Sequence, residues 1–426
     1  MAETKTINTN NNNQEKEGKK ILLPSQIGTD YNYKHKIVWF NTIGFLYLHL
    51  LAIYGIYRGL TGAAYFSTIA WMIFVGWFSG EGVTIGAHRL WTHRSFKAKL
   101  PLRLVLLILH TVAGQNCLWV WVRDHRQHHK YSDTDADPHN AKRGFFFSHI
   151  GWLMTRKHPL VFQYGKNIDM SDLEADKWVM FQKRYYKTLY IIFAIFLPTI
   201  VPVYFWGEDP WMSLLIAYVV RSIVMLNATW LVNSAAHLYG TRPYDMKLQP
   251  VENKFVSALS NGEGWHNYHH AFPWDYRAAE LGRDWNCTTD IIDFCAKLGL
   301  AYDRKAAPLN MVMARIKRTG DGTHPKESKA EAEIVREAPT GIIDSTSGYP
   351  LMPSEWNAGE APQIDPKYEN YTKDTTTMVI APDLEKVKDK CKKQQGEDQL
   401  ITEVCTEALK KQNLNVIRKR EIALVG

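Results

Sequence analysis

The stretch LPLRLVLLILHTVAGQNCLWVWVRDHRQHH (100–129) decides how this chain is read. Its central part, 104–122, carries no charge and approaches the ~20 residues that cross ~30 Å of hydrocarbon as a helix. It also holds His110, Gln115 and Asn116, and it runs directly into His125, His128 and His129. On a helix, positions i, i+3 and i+4 lie within an arc of ~100°, so HRQHH aims three imidazoles at one place. HNYHH repeats the device with His266, His269 and His270, while HRLWTH supplies His88 and His93 and NSAAH supplies His237. The HxxxxH pair diverges by ~140° on a regular helix and suits a helix end or a bend. Nine of the 16 histidines therefore fall in four short segments. The others (His35, His49, His110, His139, His149, His158 and His324) read as ordinary satisfied polar residues.

Imidazole is a ligand for Fe, Zn, Cu or Ni. Nine histidines exceed the capacity of one ion, and a structural zinc site uses only ~4 ligands, usually with cysteine. Two ions sharing these nitrogens is the economical count. The two Glu-x-x-His pairs of the soluble di-iron carboxylate type do not occur, so the site is histidine-rich.

Four other apolar runs, at about 37–57, 62–82, 187–206 and 211–232, have membrane length,. The first has no charge between Lys36 and Arg58, and the last two are joined by Gly207-Glu208-Asp209-Pro210. Short connections make two helical hairpins. Arg221, inside the fourth run, is costly in lipid and is expected to face other helices or a wet cavity. Ligands of one cluster must share one side of the bilayer. With four crossings all nine histidines do so, and a fifth crossing at 104–122 would split them. That segment is therefore expected to be a surface or membrane-grazing helix, and the second and fourth spans to continue beyond the membrane as ligand-bearing helices. The central segment 84–187 is rich in Arg and Lys, so the positive-inside rule puts it and both termini in the cytosol.

The expected fold is all-α and integral to the membrane: four transmembrane helices in two hairpins, capped by a cytosolic helical domain that holds a dinuclear metal centre. Residues 1–34 read as a disordered N-terminus, 35–303 as the membrane domain and 304–426 as a polar cytosolic tail with a candidate amphipathic helix at about 383–420. Apolar residues reach 46% although both ends are polar, and aromatic residues reach 12%, as membrane-interface belts require,. The charge of +8 suits an anionic membrane face or an anionic substrate,; no nucleic-acid partner is expected. The five cysteines form no CxxC pair and read as reduced thiols,. Asn370-Tyr371-Thr372 is a glycosylation sequon that a cytosolic tail would leave unmodified,.

Read in order, GAHRLWTH (86–93), RDHRQHHKYSDTDADPHN (123–140), RGFFFSHIGWL (143–153), NATWLVNSAAHLYGTRPYD (227–245) and NGEGWHNYHHAFPWDYR (261–277) resemble the membrane acyl-CoA desaturases. The likeness is strongest to the stearoyl-CoA-type Δ9 group and its insect Δ9/Δ11 branch, and it covers about 35–303. The resemblance implies a double bond introduced into a saturated fatty acyl-CoA, with two Fe ions per chain and O2 as co-substrate. It implies the nine histidines as ligands, with Asn233 contributing through water. Cytochrome b5 and its reductase would be the electron donors, because the chain has no HPGG haem motif, and the location would be the endoplasmic reticulum membrane. The implied acyl-CoA contacts are Asn41, Gln115, Asn116, Trp121, Arg123, Asp124, Arg156, Lys157, Thr229 and Trp230. Gly76 and Gly80 fall at the implied deep end of the acyl tunnel, where glycine would leave extra room and alter regioselectivity; Glu81 is an acidic departure beside them. Competing readings are a histidine-rich di-iron hydroxylase or a sterol or sphingolipid desaturase, and, from another class, a non-catalytic metal carrier. The carrier reading would need a polar path through the spans, which show few polar residues.

Overall fold

The computed structural model describes residues 26–281 and 286–325. Four helices are long and apolar enough to cross a membrane: α1 (Trp39–Leu60), α2 (Phe66–Thr92), and two more that follow a pair of shorter helices. The shorter pair is α3 (Leu100–Ala113) and α4 (Leu118–Tyr131), bent by 85° at the break between them. The remaining spans are α5 (Lys177–Trp206) and α6 (Pro210–Leu238). Then come α7 (His266–Ala271), α8 (Cys287–Lys297) and α9 (Leu309–Thr319). The only strands among the described residues are β1 (Lys97–Ala98) and β2 (Ala301–Tyr302), paired antiparallel. The chain is a multi-pass membrane protein.

Each hairpin turn has a local cause. Asp209 caps α6 by accepting from Met212 N–H at 2.9 Å, with Pro210 at the first helical position,. Glu208 is buried between the two turns, where it accepts from Tyr65 N–H (2.9 Å) and Thr68 O–H (2.5 Å) and so fastens one hairpin to the other. α1 shows an apolar face, with Phe40, Ile43, Leu46, Leu50 and Ile53 all exposed, as lipid contact requires. Arg221 is buried, as its position in a span demands. Its guanidinium donates to Val112 O (3.2 Å) and Ala194 O (2.8 Å), which satisfies the charge with helix-end and π-turn carbonyls instead of lipid,.

The expectation for 104–122 is refined. It is two helices, not one, because Gly114 and Asn116 both take positive φ (71° and 79°) and interrupt the run. α3 then lies against α2 at very short range. A Cβ on Gly82 would stand 2.3 Å from His110 N and 2.4 Å from Leu109 C, so only glycine permits this crossing,. The cap core forms around the same elements, with Ile85, Trp91, Phe96, Leu106, Leu118, Val122 and Ile292 in one cluster.

α2 and α6 have 27 and 29 residues, roughly a third to a half more than the ~20 that hydrocarbon needs. The surplus carries histidines. α2 ends in an 11-residue π-helical stretch, Gly82–Thr92. Bonds there reach five residues back instead of four, and His93 N–H donates to His88 O in that pattern at 3.1 Å. HxxxxH, expected at an end or a bend, is thus resolved by winding: residues five apart return to one side.

The packed unit exceeds the expected 35–303 limits. Ile27 is buried, and Asp30 N–H donates to Asp135 Oδ2 at 2.8 Å. Beyond 303, α9 buries Arg315 against Asp245 (2.5 Å), and Thr319 O–H donates to Tyr244 O (2.9 Å). Residues 1–25 and 326–426, including the sequon and the candidate helix at 383–420, lie outside the described residues. Cys117, Cys287 and Cys295 are free thiols.

Candidate metal centre

All nine segment histidines converge, and they sort into two groups. His88, His93, His125, His129 and His269 form one, and His128, His237, His266 and His270 form the other, with ligand atoms of each group within 4.8 Å of one another. The groups adjoin. The rings of His129 and His270, one from each, stack at 4.1 Å. HxxHH does not aim at one point, as expected, but straddles two. His125 and His129 serve one group and His128 the other, and His269 parts from His266 and His270 in the same way.

The ring nitrogens test whether metal fits. His93 Nε2, His125 Nε2, His128 Nε2 and His237 Nε2 are buried with no hydrogen-bond partner among the described residues. His88 Nε2 and His269 Nε2 face each other at 2.9 Å, His269 Nε2 and His129 Nε2 at 3.0 Å, and His270 Nε2 and His266 Nε2 at 3.2 Å. Orphaned imidazole nitrogens clustered in a core are costly unless a cation accepts their lone pairs. Burial holds His93, His125, His129, His266, His269 and His270 well below the ordinary histidine value, and neighbouring imidazoles add to the effect. The neutral ring is the metal-binding form. The donor set fits a pair of imidazole-binding metal ions.

Carboxylates behind the rings fix their orientation. His128 Nδ1–H donates to Asp137 Oδ2 at 2.8 Å, and His237 Nδ1–H to Asp133 Oδ2 at 3.0 Å. His88 Nδ1 lies 2.9 Å from Glu263 Oε2, and Glu263 Oε1 receives two bonds from Arg89. Burial alone would raise the Glu263 carboxyl, but His88 and Arg89 bring it down to about 2. Such carboxylate–histidine pairs leave Nε2 free for metal. Sequence reasoning missed Glu263, Asp133 and Asp137, although each stands inside a quoted motif. A search for acids beside ligand segments could have found them. His139, read as an ordinary polar residue, packs its ring 4.4 Å from that of His128 and approaches Asp137 Oδ1 at 3.6 Å. His110 also departs from that reading, since neither ring nitrogen has a partner among the described residues.

Two cavities meet the metal groups. The outer one, ≈ 1210 Å³, is walled by Gln115, Asn116, Trp121, Arg123, Asp124, Lys157, Thr229 and Trp230 together with His125 and Asn233. The inner one, ≈ 60 Å³, runs past His88, His125 and His266 to Gly80, Met225 and Asn261. Trp121, His125, Thr229 and Asn233 belong to both walls. Eight of the ten expected substrate contacts are thus gathered in one cavity. Trp121 donates to Gln115 Oε1 (3.1 Å), and Gln115 donates to Thr229 Oγ1 (2.7 Å), so three of them form a chain. Asp124 lies between Arg123 (2.7 Å) and Lys157 (2.5 Å), and these cations outweigh the effect of burial to hold its carboxyl below the usual range. Asn41 and Arg156 are not in the wall. The Asn41 amide donates to Leu153 O (2.9 Å), and Arg156 is exposed next to a backbone bridge to Lys36 O (2.8 Å).

The extra room expected at the glycines is absent at Gly80 but not at Gly76. A Cβ on Gly80 would meet Met225 Cε at 2.9 Å and Asn261 Nδ2 at 3.0 Å, and one on Gly76 would meet Arg221 Cγ at 3.5 Å. Close neighbours compensate for the missing side chain at Gly80, and a Cβ at Gly76 would make ordinary contact. Gly80 lines the inner cavity; Gly76 lines neither. Glu81 is buried and accepts from Thr288 (2.9 Å), Thr84 (3.0 Å) and Asn261 (3.0 Å).

Comparison with known proteins gives a consistent picture. The fatty acid desaturase family model matches residues 37–291. The acyl-CoA Delta-9 desaturase of Acheta domesticus is 53% identical over 312 residues, which covers 73% of this chain and 87% of that protein. The human stearoyl-CoA desaturase is 56% identical over 291 residues, covering 68% and 80% respectively. An acyl-CoA Delta12-desaturase of Acheta domesticus is 48% identical over 323 residues, covering 76% and 88%.

Proposed function

The chain belongs to the fatty acid desaturase family, and we propose that it is an acyl-CoA desaturase working through two iron ions held by the nine histidines. The observation that carries this reading is the pair of adjoining histidine groups, of which His88, His125 and His266 line the inner cavity and His125 the outer one as well. His88, His93, His125, His129 and His269 would hold one ion. His128, His237, His266 and His270 would hold the other, with Asn233 reaching it through water. Iron bound there supplies the redox chemistry, in which O2, two electrons and two protons take two hydrogens from adjacent methylenes and yield a double bond and two waters.

The protein's part is positioning. A saturated fatty acyl-CoA would lie in the outer cavity with its chain turning at Trp121 and Thr229 into the inner one. Arg123 and Lys157 would meet the anionic CoA end, Gln115 would brace Trp121 and Thr229, and Trp230 would pack along the chain. Electrons would come from cytochrome b5 and its reductase. The cap and both termini would face the cytosol from the endoplasmic reticulum. The new bond would fall at Δ9 or Δ11. Similar relatives are named for Delta-9 and for Delta12, so the position must be measured.

Expression in a desaturase-deficient yeast tests the reading. Growth without added unsaturated fatty acid is expected, with one double-bond position found by mass spectrometry. An oxygenated product, or no product from membrane-inserted protein, would overturn it. Gly80→Tyr is expected to shift products toward shorter chains, because the ring must push Met225 into the inner cavity. An unchanged chain-length profile would show that Gly80 does not bound the chain.

A further inference from the structure

Two histidines that ligate nothing bracket the fourth span. His149, in the π-turn Phe147–Gly151, has Nδ1 3.0 Å from Ser234 Oγ and Nε2 3.1 Å from Asn227 Oδ1. The Asn227 amide nitrogen is 3.1 Å from His49 Nε2 on α1 and 2.8 Å from Ile223 O. His49 Nδ1 is 2.7 Å from Phe45 O.

Carbonyl partners fix the protons on His49 and Asn227. Carbonyl oxygens only accept, so His49 carries its proton on Nδ1 and accepts at Nε2. Ile223 O independently fixes the Asn227 NH2, so Asn227 Oδ1 must face His149. His149 Nε2 therefore carries a proton. Burial lowers the basicity of His149, and Ser234 Oγ, 3.0 Å from His149 Nδ1, donates to Trp230 O at 2.8 Å. Four groups on three segments are thus joined in one chain that ends on the Trp230 carbonyl.

What they enclose is part of the reaction site. The Trp230 indole is buried among Phe45 (5.6 Å, edge-on), His49 (6.3 Å, stacked) and His149 (5.8 Å, edge-on). Trp230 walls the outer cavity, with Thr229 and Asn233 beside it. Ser234 marks a break in α6, at φ −110° and ψ −74°, and its carbonyl accepts from His237 N–H at 3.1 Å. Asn227, Trp230 and Ser234 are spaced i, i+3 and i+7, one face of the helix. The bracket therefore grips the segment that carries the chain-facing residues and leads into His237.

We propose that His149, acting through Asn227 and Ser234, is a positioning residue that fixes Trp230 and the Ser234 break, and so fixes which carbons of the acyl chain lie against the metal groups. This rests on the acyl-CoA desaturase reading, which the activity of the unaltered enzyme checks separately. A displacement near 1 Å at a reacting centre can cost ~10²-fold.

The full-length enzyme in membranes supplies the test, through metal per chain, kcat, KM and double-bond position by mass spectrometry. His149→Phe keeps a ring but neither bond. It is expected to retain its metal and a KM within about twofold, while kcat falls on the order of ten- to a hundredfold and new double-bond positions appear. Gln has an amide donor and acceptor, so His149→Gln is expected to restore the original product. Asn227→Ala, which separates the two histidines, is expected to scatter the product as His149→Phe does and carries the test if that variant does not insert. The proposal is overturned if products and kcat are unchanged, if His149→Phe loses metal, or if His149→Gln scatters products as widely as Phe.

Discussion

His128→Ala is expected to abolish turnover while leaving a protein that still inserts and resists alkaline extraction from membranes. The loss should far exceed the ~10–100-fold typical when only a ligand's supporting partner is removed. The reason is arithmetic within the second group: its four imidazoles would fall to His237, His266 and His270. Packing should survive, because Asp137 keeps two backbone donors, Asp133 N–H at 2.8 Å and His139 N–H at 3.0 Å. Near-normal turnover would refute the ligand role.

Glu263→Gln is expected to lower metal affinity and turnover by about 10–100-fold. Glutamine has nearly the same shape but no charge. It would leave Arg89 buried without the carboxylate it now contacts at 2.9 Å, and would weaken the partner that faces His88 Nδ1. Arg89 also donates to Tyr276 O (3.0 Å), Thr289 Oγ1 (3.0 Å) and Asn286 Oδ1 (3.2 Å), so it remains anchored and the fold should hold. Metal retained after dialysis against a chelator reads the effect directly. Retention equal to that of the unaltered protein would show that Glu263 does not tune His88.

The spans and the histidine groups were legible because each leaves a strong local mark. Apolar runs of membrane length admit few other uses, and His128 beside His129 in one triplet is a rare spacing. Topology added the expectation that 104–122 does not cross, since one histidine cluster must lie on one side. What stayed hidden was winding and distance. No sequence rule announces that Gly82–Thr92 will wind as a π-helix, and a helical wheel with 3.6 residues per turn therefore separates His88 from His93 when the structure joins them. The division of each HxxHH between two groups is a matter of fractions of a turn. Asp133, Asp137 and Glu263 are invisible as partners because their proximity to His237, His128 and His88 is made by tertiary contact.

Two misreadings have a common physical cause, the assumption that a residue's type fixes its surroundings. Glycine at 80 suggested empty space, but Met225 reaches into the gap from α6. Charged residues past 303 suggested a solvated tail, yet Arg315 is buried because Asp245 neutralises it. The expected substrate contacts came from a resemblance, and eight of ten line one cavity; the Asn41 amide is held at the junction between α1 and the cap, and Arg156, exposed, lies outside that wall.

Anomalous diffraction at the iron edge, on crystals of the metal-loaded enzyme, tests the central claim most directly. Two peaks are predicted, one enclosed by His88, His93, His125, His129 and His269 and the other by His128, His237, His266 and His270. A single peak, or peaks away from these nine imidazoles, would contradict it.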